Sequence, residues 1–147
     1  MNRDSVRKQL EIDEGVVYEI YEDHLGYKTF GIGHLVRDLD LETNWPVGTE
    51  VSETRVKQAF EADLDVATRE CAILYDTWET FPGEIQEILV NMLFNLGRPR
   101  LTKFKNMTKA LANHDWKQAA IEGRDSQWHR QVPNRAERLM VRMESVT

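Results

Sequence analysis

The chain has 147 residues, 41% of them hydrophobic, and a formal net charge of −6. Length and composition fit one soluble globular domain and exclude an extensively disordered chain, and no apolar run approaches the roughly 18 residues of a membrane span. Cys71 is the only cysteine, which excludes an intrachain disulfide or a thiol metal cage, fits a reducing cytoplasm, and reads as a small core hydrophobe.

The start, "MNRDSVRKQLEIDEG", lacks the apolar stretch of a secretory signal, so none is expected. Residues 5–14 read as a short helix, with Asp4 as N-cap and Gly15 just past its end. Val6, Leu10 and Glu14 recur every four residues and share one face, which predicts Glu14 on the apolar side at the helix C-terminus. "VYEIY" and "YKTFGI" then read as two strands joined by the turn "EDHLG". Residues 35–51, with Pro46 and Gly48, read as irregular.

Ser52 is a good N-cap for a long helix whose stripe is Val56, Phe60, Leu64, Ala67, Cys71 and Leu74. "PGEIQEILVNMLFNLG" puts Ile85, Ile88, Leu89, Met92 and Leu96 on one face, and Gly97 ends it. "LTKFKNMTKALANH", "DWKQAAIEG" and "DSQWHRQ" read as three shorter helices. "PNRAERLMVRMES" opens on Pro133, a first-turn residue. This order predicts an α+β chain of one domain. Residues 15–51 would form a small hairpin lobe, 52–74 a connecting helix, and 1–14 with 75–147 a helical lobe. Residues 1–96 carry 8 Lys/Arg against 20 Asp/Glu, whereas 97–147 carry 11 against 5. The second part can hold a polyanion, or its cations are simply solvated helix faces.

Glu14, Asp23 and Thr29 are the chemically suggestive set. A helix C-terminus carries partial negative charge, and an apolar face desolvates; both favour the protonated carboxyl that a general acid needs. Asp23, in a polar turn, should stay ionised. Two carboxyls in contrasting settings suit glycoside hydrolysis, and the Thr29 hydroxyl could hold a water beside the sugar. The plainer reading is a helix-end surface charge, a turn former and a strand filler.

"IDEG" followed by "YEDHLGYKTFGIGHL" resembles the catalytic segment of the T-even phage-type lysozymes, the muramidases of glycoside hydrolase family twenty-four. The family's spacing is Glu, eight residues, Asp, five residues, Thr, and Glu14, Asp23 and Thr29 match it without a gap. "FEADLD", "NMLFNLG", Trp128 and "PNRAER" are similar to later family segments in the same order. The resemblance implies a lysozyme-like two-lobed fold with the three residues at one edge of a cleft, and hydrolysis of the β-1,4 bond between N-acetylmuramic acid and N-acetylglucosamine in peptidoglycan. It makes Glu14 the acid, with Asp23 and Thr29 positioning water, and predicts inversion if the carboxyls stand about 6.5–9.5 Å apart.

It also implies that His34 and Asp63 form an ion pair, that Leu35 and Phe94 contact glycan, and that Asn91 lies beside Asp13. Arg135 would hold Glu14 in place, although as a cation it opposes a raised carboxyl pKa. No cofactor and no metal is expected; His34 has no second ligand at suitable spacing. The family further implies a monomer without a membrane anchor, built in the host cytoplasm and released to the periplasm and wall by a separate holin. Met107 and Glu122 stand where the best-known member has a serine and an asparagine, Asn95 replaces a glutamine, and the segment after "GIGHL" is shorter. Three rival readings are a lytic transglycosylase, an inactive glycan-binding module and a nucleic-acid binder. Asp23 and Thr29 weigh against the first, Glu14 against the second, and the lack of a reading motif against the third.

Overall fold

A computed structural model describes residues 1–147. It is mostly helical, with one three-stranded antiparallel sheet in the order β1-β2-β3, and so belongs to the α+β class. The elements are α1 (Arg3–Glu14), β1 (Val17–Glu22), β2 (Lys28–Gly31), β3 (His34–Leu35), α2 (Glu53–Leu74), α3 (Gly83–Leu96), α4 (Arg98–Leu101), α5 (Lys105–Ala112), α6 (Trp116–Arg124), α7 (Gln127–Gln131) and α8 (Pro133–Glu144). The chain divides into two compact units, Asp4–Val66, and Ala67–Thr147 with Met1–Arg3.

In the first unit β1 pairs with β2 through Tyr21 opposite Thr29 and Glu22 opposite Lys28, with an irregularity between Val17 and Tyr21. β2 pairs with β3 through Thr29 opposite Leu35 and Phe30 opposite His34. Directly opposed side chains leave the sheet on the same face. Phe30 and His34 thus share the buried face, with Ile20 buried as well, and Tyr21, Thr29 and Leu35 form a row on the other. A Cβ on Gly31 would stand 3.1 Å from Val56 Cγ1, so β2 lies close against α2.

The third strand is absent from the sequence reading because a two-residue strand has no period of its own. Residues 35–51 are also less irregular than expected. Ile20 N–H donates to Thr49 O (2.9 Å), Gly48 N–H to Ile20 O (2.8 Å) and Val51 N–H to Tyr18 O (2.9 Å), which occupies the outer edge of β1. Ser52 caps α2 as expected, its Oγ accepting from Arg55 N–H at 3.1 Å. Asp4, expected to cap α1, lies inside its first turn instead, because the helix starts at Arg3.

In the second unit α3 buries eight of its 14 residues, hydrophobic nearly all round as a central helix must be. Gly97 ends it at φ 76°, a left-handed conformation glycine takes without steric cost, and its N–H donates to Leu93 O at 2.7 Å. Pro99 then opens α4, so the helix expected over 101–114 begins only at Lys105. Asp115 and Ser126 cap α6 and α7 through the N–H groups of Gln118 and His129. α6 packs on α5 and α8; a Cβ on Gly123 would collide with Met140 Sδ. Arg124 fastens α6 to α8 by paired hydrogen bonds to Glu137 (2.9 Å each) and Glu144 (2.7 and 3.0 Å). These hydrogen bonds, with one from His129, hold the Glu137 carboxyl down to about 2. Cys71 is buried on α2, and burial pushes its thiol up to about 12. No helix is long and apolar enough to cross a membrane.

Candidate active site

Glu14, Asp23, Thr29, His34, Leu35 and Asp63 all belong to the Asp4–Val66 unit; Asn91, Phe94 and Arg135 belong to the other. Glu14 is the last residue of α1, released by Gly15 at φ 77°, whose N–H returns to Glu11 O at 3.0 Å. Val6 and Leu10 are buried, but Glu14 is exposed, which corrects the expectation that it lies on the apolar side. A four-residue spacing drifts about 40° per step around a helix. Two steps from Val6 carry Glu14 off the buried stripe.

Asp23 organises the turn between β1 and β2. Its Oδ1 accepts from the N–H groups of Leu25 and Tyr27, both at 2.9 Å, and its backbone N–H donates to Tyr27 O at 2.9 Å. This is an Asx-type turn. One carboxylate oxygen therefore fixes the loop, while Oδ2 takes no hydrogen bond. The turn-former reading and the catalytic reading describe different oxygens of one side chain. Thr29, 5% exposed, donates its hydroxyl to Tyr27 O at 3.0 Å. Its one proton is committed, so towards any further partner Thr29 Oγ1 is an acceptor.

Tyr21 is the residue that sequence reasoning missed here. It stands opposite Thr29 in the sheet and two residues before Asp23. Its phenol is raised, first by burial and then by the charges of Asp23 and Glu14, so both carboxylates bear on this one ring. Alternation along "VYEIY" could have put Tyr21 on the same face as Thr29, once the register was known.

Below the sheet lies an ion network larger than the expected His34–Asp63 pair. His34 Nδ1 meets Asp63 Oδ2 at 2.7 Å, and Nε2 meets Asp40 Oδ2 at 2.9 Å. Arg55 reaches Asp40 at 3.4 Å and grips Glu42 with two bonds of 2.8 and 2.9 Å, its guanidinium 5.6 Å from the Phe30 ring centre. Glu42 is 0% exposed. Asp40 and Glu42 lie in the shortened segment after "GIGHL", and only the folded chain brings them to α2. No group of three or more His, Cys, Asp or Glu side chains is arranged to hold a metal ion.

Burial disfavours the His34 imidazolium, but Asp63 and Asp40 outweigh it and raise the ring above its usual 6.5. Burial likewise opposes the Asp40 carboxylate, yet the Arg37 N–H, His34 and Arg55 hold it below 3.8. A raised histidine stabilises fully below its unfolded value and loses that contribution as pH rises through its folded value. A depressed carboxylate stabilises above its unfolded value and loses that contribution as pH falls through its folded value. The network is therefore strongest between about 4.5 and 6.5, bounded by the ordinary values of its carboxylates and of His34. His34→Asn should cost about 2 kcal/mol at pH 5.5, less than a fully buried pair because Asp40 and Asp63 retain some exposure. Urea titrations across pH should show the deficit shrinking above the raised histidine value; a deficit flat from pH 5 to 9 contradicts this.

In the second unit Arg135 Nε donates to Asn91 Oδ1 at 2.9 Å and Nη2 to Asn91 O at 3.3 Å, with Asn91 2% exposed. Trp128 is buried and donates Nε1–H to Asn95 Oδ1 at 2.8 Å, so Asn95 has a structural partner. Phe94 is half-buried on α3; Met107 is 1% exposed and packs inside.

The phage lysozyme family profile matches residues 11–144. The chain is 29% identical to the probable T4-type lysozyme 1 of Dictyostelium discoideum, over 97% of this chain and 95% of that protein. It is 33% identical to the pre-baseplate central spike protein Gp5 of Enterobacteria phage T4, over 92% of this chain but 27% of that protein. It is 30% identical to the peptidoglycan hydrolase gp36 of Pseudomonas phage phiKMV, over 93% of this chain and 15% of that protein. With a matched profile that runs from the end of α1 to the end of α8, the chain belongs to the phage lysozyme family and is a peptidoglycan-hydrolysing glycosidase of the lysozyme type.

Proposed function

We propose that this lysozyme is a phage endolysin that cleaves the β-1,4 bond between N-acetylmuramic acid and N-acetylglucosamine by direct displacement with inversion. The observation that carries the mechanism is the division of labour at Asp23: Oδ1 is spent on the turn, and Oδ2 is left to accept a proton. Water attacks the anomeric carbon of the muramic acid while the bond to the leaving oxygen breaks. That oxygen takes the proton of Glu14, and the water's proton passes to Asp23. Thr29 Oγ1 accepts the water's other hydrogen. Leu35, 41% exposed on the face shared with Thr29, offers an apolar contact for a sugar ring. We assign Phe94 a similar contact and Arg135, Asn91, His34 and Asp63 supporting roles.

The same reading makes the protein a monomer with no nucleic-acid partner and no membrane anchor. It accumulates in the host cytoplasm and reaches the periplasm and wall through a holin. Digestion of purified peptidoglycan tests the chemistry. Reducing N-acetylmuramic acid ends of inverted anomeric configuration are expected; 1,6-anhydro ends would instead mean a lytic transglycosylase.

A further inference from the structure

We propose that Tyr21 is a further residue of the hydrolytic site, its hydroxyl donating a hydrogen bond to the attacking water that Asp23 and Thr29 hold. The inference rests on the hydrolytic reading above. Tyr21 and Thr29 are directly opposed in an antiparallel pair, which puts their Cβ atoms about 4.5–5.5 Å apart on one face. Asp23 follows two positions later, still paired across the turn to Tyr27, and a strand returns to the same face every second residue. Three side chains of the Asp4–Val66 unit thus converge from one side of the sheet.

Donor and acceptor counting then singles out the phenol. A water has two hydrogens and two lone pairs. Thr29 has spent its proton on Tyr27 O and can only accept; the Asp23 carboxylate can only accept. Between them they take both hydrogens of the water and leave both lone pairs unassigned, so the water can still swing about the line joining its two acceptors. A donor on one lone pair aims the other at the anomeric carbon. Tyr21 is half-buried, and its hydroxyl makes no hydrogen bond within the protein. Burial and the two carboxylates keep the phenol protonated, hence a donor, throughout the working range. The aromatic ring also fixes the hydroxyl with two side-chain torsions.

Tyr21→Phe removes the donor and keeps the ring. Assayed on soluble peptidoglycan oligomers beside the wild type, it should lower kcat about tenfold, the scale of one net hydrogen bond lost in the transition state. KM and the unfolding midpoint should not move. A mutant with wild-type kcat overturns the proposal, as does a change confined to KM, which would make Tyr21 a sugar contact. Wild type releasing no reducing ends is a separate result: it removes the hydrolytic reading and this inference with it.

Discussion

Glu14→Gln should lower product release from peptidoglycan by about 10²–10⁴-fold while leaving the unfolding midpoint unchanged. The substitution keeps the shape and hydrogen-bonding length of the side chain but removes the proton that the leaving oxygen needs. Because Glu14 is exposed at the end of α1, it fills no part of a core, and its replacement leaves Val6 and Leu10 buried as before. The activity loss should therefore appear without a stability loss. The measurement is the rate of reducing-end formation, with calorimetry on the same samples. A fall of less than tenfold would remove Glu14 from the role of acid. A comparable fall with a lowered midpoint would point to a structural part instead.

Arg55→Met should be the most damaging change to stability away from the Tyr21, Thr29 and Leu35 row. The guanidinium supplies two hydrogen bonds to Glu42, a carboxylate with no solvent exposure, and its hydrogen bonds hold that carboxyl below its ordinary value. Removing one partner of a buried pair leaves an uncompensated charge and costs about 3–5 kcal/mol. For a chain of this size that is roughly 10 °C in Tm. An orphaned Glu42 would ionise less readily than in the unfolded chain, so the mutant should recover part of the loss as pH falls and the carboxyl protonates. Arg55→Met with Glu42→Gln should be more stable than Arg55→Met alone at pH 7. Urea unfolding of the single and double variants at pH 7 and 4.5 separates these effects; a single variant within 1 kcal/mol of wild type at pH 7 contradicts the assigned role.

The helices were legible because their stripes repeat: Val56, Phe60, Leu64, Ala67 and Cys71 along α2 are all buried. The cap at Ser52 and the stop at Gly97 were legible because each rests on local backbone chemistry. The fold class followed from their order together with a family motif of fixed spacing. What stayed hidden depends on distance through space. Asp40 and Glu42 read as loop charges until α2 brings Arg55 across from 13 residues away to grip Glu42. β3 is too short to carry a pattern, and without its register and that of β1 nothing aligns Tyr21, Thr29 and Leu35. Glu14 shows the opposite error. A four-residue repeat was extended one step too far, to a turn where the helix had already rotated away from the interior.

The buried thiol on α2 has a practical side. A cysteine reacts as its thiolate and only where a reagent can reach it. Cys71 meets neither condition, with no exposed surface and a thiol that stays protonated at neutral pH. The protein thus behaves towards maleimides and oxidants as though it had no cysteine. One introduced at an exposed position such as Lys109 would accept a single probe without first removing the native sulfur from the core.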